Sequence, residues 1–346
     1  MKAVELIANG QFNLNDAKVS ELPHDHCRIK VSYAGVCSSD IARSFENGAY
    51  QYPLIMGHEF SGKVAVIGKD ATHFKTGDRV GVFPLLPCFK CDFCKARLYA
   101  QCSHYSYLGS RQAGAYCEFV NVPAWNLILL PGDVSLQDAA FLEPVSVVFN
   151  AANKSGIFEK PGSTLIIGGG FLGLLLCKIL KIHNPAISIT LVDRNDFKLK
   201  VGSKFSDVQI NSADLKNLAD GSFKYVFEST GAPEFFAASI ALCRALGCLT
   251  WIGNIQGDLS LPKKLVSSIL RKELNIKGVW NSVYDPESAN DDWRSVVALF
   301  QRGLNPSQLI TQTITLSEVP EVLKKMYEHK QGRIAFPAIK VLVDNE

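Results

Sequence analysis

The sequence predicts an α/β protein in two parts, a β-rich domain over residues 1–150 and a doubly wound parallel sheet over residues 151–285, with a C-terminal return over residues 286–346. Three observations carry this. The first 150 residues are short apolar runs broken by turn residues. Beyond Pro161 strand-like and helix-like stretches alternate, the pattern of a parallel sheet covered by helices. Between the first such strand and helix lies the glycine loop Gly168-Gly169-Gly170-Phe171-Leu172-Gly173.

The runs in the first part are Arg28–Tyr33, Ser61–Ile67 and Asp78–Phe83, β-branched or alternating and bounded by Gly, Pro and Asp. In the second part Thr164–Ile167, Ile189–Val192, Tyr225–Phe227, Leu249–Ile252 and Ile276–Val279 read as strands. Phe171–Leu180, Pro233–Leu246 and Leu265–Glu273 read as helices. Ile339–Val343 reads as a last strand.

Size and charge exclude several classes of function. A chain of 346 residues, 47% apolar and 20% charged, can bury two ordinary cores. Its net charge of +3, with no long basic run, does not suit a nucleic-acid-binding protein. The most apolar segment, Leu165–Leu180, is short and broken by glycines and Lys178, so no membrane span is expected. Met1–Leu14 has no apolar stretch resembling a signal peptide, and a cytoplasmic protein is expected.

The glycine loop fits G-x-G-x-x-G, and its context gives it meaning. It follows a strand and opens an apolar helix, and Asp193 ends the next strand 20 residues after Gly173. This is the Rossmann arrangement for a dinucleotide. Gly168 permits the tight turn, Gly170 lets the pyrophosphate approach the backbone, and Gly173 lets the helix pack on the sheet. The N–H groups of the helix start, at Phe171 and Leu172, face the phosphates. Asp193 can bond the ribose hydroxyls and would repel a 2′-phosphate, which favours NAD. Arg194 beside it could stack on adenine or meet that phosphate.

Four of the ten cysteines, Cys88, Cys91, Cys94 and Cys102, have the spacing C-x2-C-x2-C-x7-C. Four thiolates close a tetrahedral shell, so a structural zinc is expected in a lobe spanning 86–104. An iron–sulfur cluster uses the same ligands, but nothing else here suggests electron transfer. Phe89, Lys90, Asp92 and Phe93 between the cysteines cannot make a core, which leaves the metal to hold the lobe.

Three further segments stand out: Gly35–Asp40 with Cys37 and Ser39, Gly57–Gly62 with His58 and Glu59, and Phe141–Pro144 with Glu143. Singly they mean little. Together with the lobe and the glycine loop, and in the same order, they resemble the medium-chain zinc alcohol dehydrogenases over the whole chain. Glu143-Pro144 points to the polyol (sorbitol-type) branch. Tyr52-Pro53, Pro84–Cys88, Leu108–Arg111 and Ile269–Leu274 resemble its galactitol-phosphate members.

The resemblance implies a GroES-like catalytic domain with a zinc lobe, a Rossmann domain, two zinc ions per chain, NAD, and a homodimer or homotetramer. It implies Cys37, His58 and Glu143 as catalytic zinc ligands and Glu59 as a carboxylate at the zinc. Ser39 would receive the substrate proton, and Lys340 would lie near the cofactor phosphates. Many relatives carry His three residues after that hydroxyl; Ala42 stands there here. The implied substrate is a polyol or polyol phosphate, touched by Arg43, Tyr50, Arg111, Trp280 and Asn281, with Arg43 and Arg111 as a fork for a phosphate. Alternatives are an unphosphorylated polyol, threonine or a simple alcohol, or a regulatory protein that kept the fold without the chemistry.

Overall fold

The computed structural model describes residues 1–346. Along the first stretch lie β1 (Lys2–Ala8), β2 (Gln11–Asp16), β3 (His26–Val36), α1 (Ser38–Phe45), β4 (Leu54–Ile55), β5 (Glu59–Ile67), β6 (Arg79–Val82) and β7 (Leu85–Leu86). Then follow α2 (Asp92–Lys95), β8 (Ser106–Tyr107), β9 (Phe119–Pro123), β10 (Leu127–Leu129), α3 (Leu136–Ala139) and α4 (Leu142–Ser155). The middle stretch has β11 (Thr164–Ile167), α5 (Phe171–His183), β12 (Ile189–Asp193), α6 (Asp196–Gly202), β13 (Val208–Asn211), β14 (Phe223–Glu228), α7 (Pro233–Leu242), β15 (Cys243–Trp251), α8 (Lys263–Arg271) and β16 (Asn275–Gly278). The last has α9 (Asp292–Gln301), β17 (Ile310–Ile314), α10 (Val319–Lys330) and β18 (Lys340–Asp344).

The chain divides into two compact units. The first is Met1–Pro144, Val283–Gln301 and Asn305–Glu346; the second is Val145–Ser282 with Arg302–Leu304. The first boundary falls inside α4, six residues before the expected end at 150, because that helix runs unbroken through it.

The first unit is built on a sheet of order β10-β6-β5-β3-β18-β17, with β9 also on β3. β3 is long enough, at eleven residues, to pair along its length with both β5 and β9 and to meet β18 at its end. Alternate residues of these strands (Ile29, Val31, Phe60, Val64, Val80, Val341) are buried in one core. A three-stranded sheet, β2-β1-β4, and the β7–β8 pair complete it.

The second unit is a six-stranded parallel sheet, β13-β12-β11-β14-β15-β16. Its order reverses between β11 and β14, which opens a crevice at their C-terminal ends. The helix expected over Pro233–Leu246 stops at Leu242, since Cys243 already pairs with Phe223 as the start of β15. No helix is long and apolar enough to cross a membrane.

Candidate active site

β3 ends at Val36, and Cys37 caps α1 with extended backbone. The Cys37 amide donates to the Asp40 carboxylate at 3.1 Å, which fixes the turn. β5 begins at Glu59 and pairs with β3 so that Glu59 faces Gly35. A Cβ on Gly35 would fall 2.2 Å from Glu59 Oε2, so only glycine admits the carboxylate there. These constraints bring the donor atoms of Cys37, His58 and Glu59 within 4.8 Å of one another.

Asp40 is the hub behind them. Fully buried, it accepts from Tyr116 Oη at 2.8 Å and from Arg43 Nη1 at 3.3 Å, and lies 3.5 Å from His58 Nδ1. Burial works to raise its pKa, but His58, Arg43 and Tyr116 outweigh that and hold the carboxyl below its ordinary value. For His58, burial opposes charge, yet Asp40 and Cys37 push its pKa well above the ordinary range. The field at this spot favours a cation.

A zinc ion fits that field. Thiolate, imidazole and carboxylate are its usual donors. Glu59 Oε2 is a buried atom with no hydrogen-bond partner. Lys340 Nζ lies 2.5 Å from Glu59 Oε2 but donates to Oε1, at 2.8 Å.

Glu143, in the first turn of α4, is not among the three donors within 4.8 Å of one another; its Oε1 accepts from Tyr107 Oη at 2.9 Å. Burial raises its carboxyl and Glu59 adds to that. β18 pairs with the end of β3, Val341 opposite Val36, and Lys340 is buried against Glu59 in the first unit. Ser39 is exposed in the first turn of α1. Asp40, Tyr107 and Tyr116 had no role assigned from sequence. The Cys37–Asp40 spacing, a helix-start carboxylate three residues on, was a readable signal for Asp40. Nothing in the sequence pointed to Tyr107.

The four-cysteine lobe has metal-site dimensions. Cys88 and Cys94 sulfurs are 4.0 Å apart and those of Cys91 and Cys102 are 3.9 Å apart. A zinc bound at about 2.3 Å to four thiolates needs edges of about 3.8 Å. Amides of Lys90 and Cys91 point at Cys88 Sγ and pull its pKa below that of an ordinary thiol. The lobe has more than metal to hold it. Phe89 and Tyr99 stack edge-on to Trp125, which meets Tyr284 in the same way. Arg97 forks onto Asp285 at 2.6 and 2.5 Å.

In the second unit Gly168 has φ +108° and Gly170 caps α5 with open space where a Cβ would be. A Cβ on Gly173 would sit 1.8 Å from the Gly168 carbonyl, so the helix closes fully onto the loop. Phe171 is buried and Leu172 half-buried along the helix start. Asp193 at the end of β12 accepts from the Gly169 amide at 2.7 Å and the Asn195 amide at 2.8 Å, which aims it at the loop; Arg194 is exposed. Sequence reading passed over Glu228, buried at the end of β14. It accepts from the Thr230 amide and hydroxyl and the Gly231 amide, and so shapes the crevice wall.

Of the expected substrate contacts, Arg43 donates to Asp40 at 3.3 Å. Arg111 is held between the rings of Tyr50 and Tyr105, at 4.7 and 4.2 Å, and donates to the Tyr105 carbonyl at 2.7 Å. Tyr50 is 71% exposed. In the second unit Trp280 is 58% exposed, whereas Asn281 is buried, its Oδ1 accepting from the Ser282 amide.

The alcohol dehydrogenase GroES-like domain profile matches residues 23–132, and the zinc-binding dehydrogenase profile matches residues 172–302. The chain belongs to the medium-chain zinc-dependent alcohol dehydrogenases, an oxidoreductase family that uses zinc and a nicotinamide dinucleotide. It is 32% identical over 320 residues to galactitol 1-phosphate 5-dehydrogenase of Escherichia coli K12, covering 90% of this chain and 92% of that one. It is 29% identical to D-arabitol-phosphate dehydrogenase of Enterococcus avium, covering 100% and 97%. The crystal structure of galactitol-1-phosphate dehydrogenase from Escherichia coli superposes with a TM-score of 0.87 over 99% of this chain and 100% of that one.

Proposed function

We propose that this protein oxidises a secondary hydroxyl of a phosphorylated sugar alcohol to a ketone, with NAD as hydride acceptor. The convergence of Cys37, His58 and Glu59 carries the reading. The two polyol-phosphate relatives support the substrate class. When bound, zinc supplies Lewis-acid polarisation of the substrate hydroxyl and NAD takes the hydride. Cys37 and Glu59 contribute two negative charges that balance the metal, with His58 neutral. Asp40, fixed by Tyr116 and Arg43, orients the His58 ring. Ser39 would take the hydroxyl proton, and Ala42 stands where a histidine would otherwise carry it onward. Asp193 binds the adenosine ribose.

Arg111 is our choice for the phosphate. Clamped between two tyrosines, its guanidinium loses little freedom on binding an anion. A panel of matched free and phosphorylated polyols with NAD tests this. We expect the phosphorylated member to be favoured, and Arg111→Ala to reduce that preference about 100-fold, the size of a lost pair of charge-assisted hydrogen bonds. Equal turnover of both classes by the parent protein would refute the phosphate assignment. Asp193→Ala should lower kcat/KM for NAD by about 10- to 150-fold, the loss of a charge-assisted bond, and narrow the gap to NADP. An unchanged NAD/NADP ratio would show that Asp193 does not read the ribose.

A further inference from the structure

Glu228 ends β14 at the crevice and is wholly buried, yet no step of the proposed reaction uses it. Its Oε1 accepts from the Thr230 amide at 2.7 Å, from the Thr230 hydroxyl, and from the Gly231 amide at 3.2 Å. Its Oε2 lies 3.3 Å from the same Gly231 amide. Its own carbonyl accepts from the amides of Ile252 at 2.8 Å and Gly253 at 3.0 Å, just beyond the end of β15. One residue therefore ties the loop after β14 to the loop after β15. Burial pushes the carboxyl up, and the Thr230 and Gly231 donors oppose that.

The two loops interleave around this carboxylate. A Cβ on Gly253 would fall 2.3 Å from the Gly231 nitrogen and 2.7 Å from Glu228 Oε2. One on Gly231, where φ is +78°, would fall 2.1 Å from the Asn254 carbonyl oxygen. The Gly231 carbonyl accepts from the Gln256 amide at 2.9 Å, and Thr230 Oγ1 accepts from the Ala232 amide at 3.0 Å. On the other side Ser229 Oγ donates to the Ile167 carbonyl at 2.9 Å, next to the glycine loop. A dinucleotide lies across such a crevice, one half on each side of the point where strand order reverses. Asp193, at the end of β12, marks the adenosine side, so the nicotinamide half lies over the ends of β14 and β15. Loops fixed in advance need no ordering when that half binds. We propose that Glu228 is a positioning residue for the nicotinamide half of NAD, locking the β14 and β15 loops in the conformation that receives it. The proposal rests on reading the glycine loop and Asp193 as the dinucleotide site.

The test is calorimetric binding of NADH and of ADP-ribose, which lacks the nicotinamide, to the full-length parent protein and its variants. Glu228→Gln keeps the shape of the side chain but replaces one acceptor by a donor beside the Gly231 amide. We expect it to weaken NADH about tenfold, the size of one hydrogen bond to a charged acceptor, and to leave ADP-ribose unmoved. Thr230→Val should show the same selective loss, and Thr230→Ser, which keeps the hydroxyl, should bind NADH as the parent does. This second pair carries the test if the Glu228→Gln protein does not fold. Equal weakening of both ligands would mark a general loosening of the unit and overturns the proposal. So does NADH affinity unchanged in Glu228→Gln. A parent protein that binds neither ligand overturns the dinucleotide reading, and this proposal with it.

Discussion

His58→Ala is expected to leave one zinc per chain and to lower kcat/KM by about 10⁴-fold or more, the rate equivalent of losing several kcal/mol of Lewis-acid stabilisation. The ring has no substitute. Its Nδ1 is turned towards Asp40, and Gly57 before it has φ +90° with Tyr116 packed where a Cβ would go. Removing the ring also leaves buried Asp40 with only Arg43 and Tyr116 around its carboxylate, so the variant should lose stability as well. Zinc content by atomic emission, with circular dichroism to establish the fold, measures the first effect; steady-state rates measure the second. A folded His58→Ala protein that keeps two zinc ions and its activity would disprove the assignment. Asp40→Asn should give a milder form of the same loss, about 10- to 100-fold in metal affinity, as expected for a group one step behind the ligand.

The second large effect concerns the lobe. Cys94→Ser should remove the other zinc and lower stability by about 4 kcal/mol, or about 10 °C in Tm, because three thiolates no longer close the shell. Cys94 and Cys102 are buried, so demetallation leaves two buried thiols with no metal to bind. Trp125, Tyr284 and the Arg97–Asp285 fork hold the lobe's margins. We therefore expect opening to stay local, with protease cleavage first between Cys88 and Cys102. A Cys94→Ser protein with the parent's Tm and cleavage pattern would show that the aromatic contacts suffice without metal.

Much of this was legible in the sequence because each readable feature is local. The lobe is four cysteines within fifteen residues, and the glycine loop and Asp193 are fixed by strand–loop–helix geometry. The catalytic cluster is different. Cys37 and Glu59 come together through the β3–β5 register, which sequence pattern leaves open. Lys340 meets Glu59 through register too: the insertion of β18 between β3 and β17 sets it there. Arg43 and Arg111 looked alike as charges; their partners, a buried carboxylate for one and two aromatic rings for the other, separate them.

The position of β18 has a kinetic consequence. It lies in the interior of its sheet, between β3 and β17, although some 300 residues separate it from β3 along the chain. The second unit is nearly continuous, Val145–Ser282, and its parallel strands can find their neighbours as the chain elongates. The first unit begins earlier but must keep an open edge on β3 until β18 arrives. A chaperone or an aggregating neighbour therefore has its longest opportunity at β3, the strand that leads directly into Cys37.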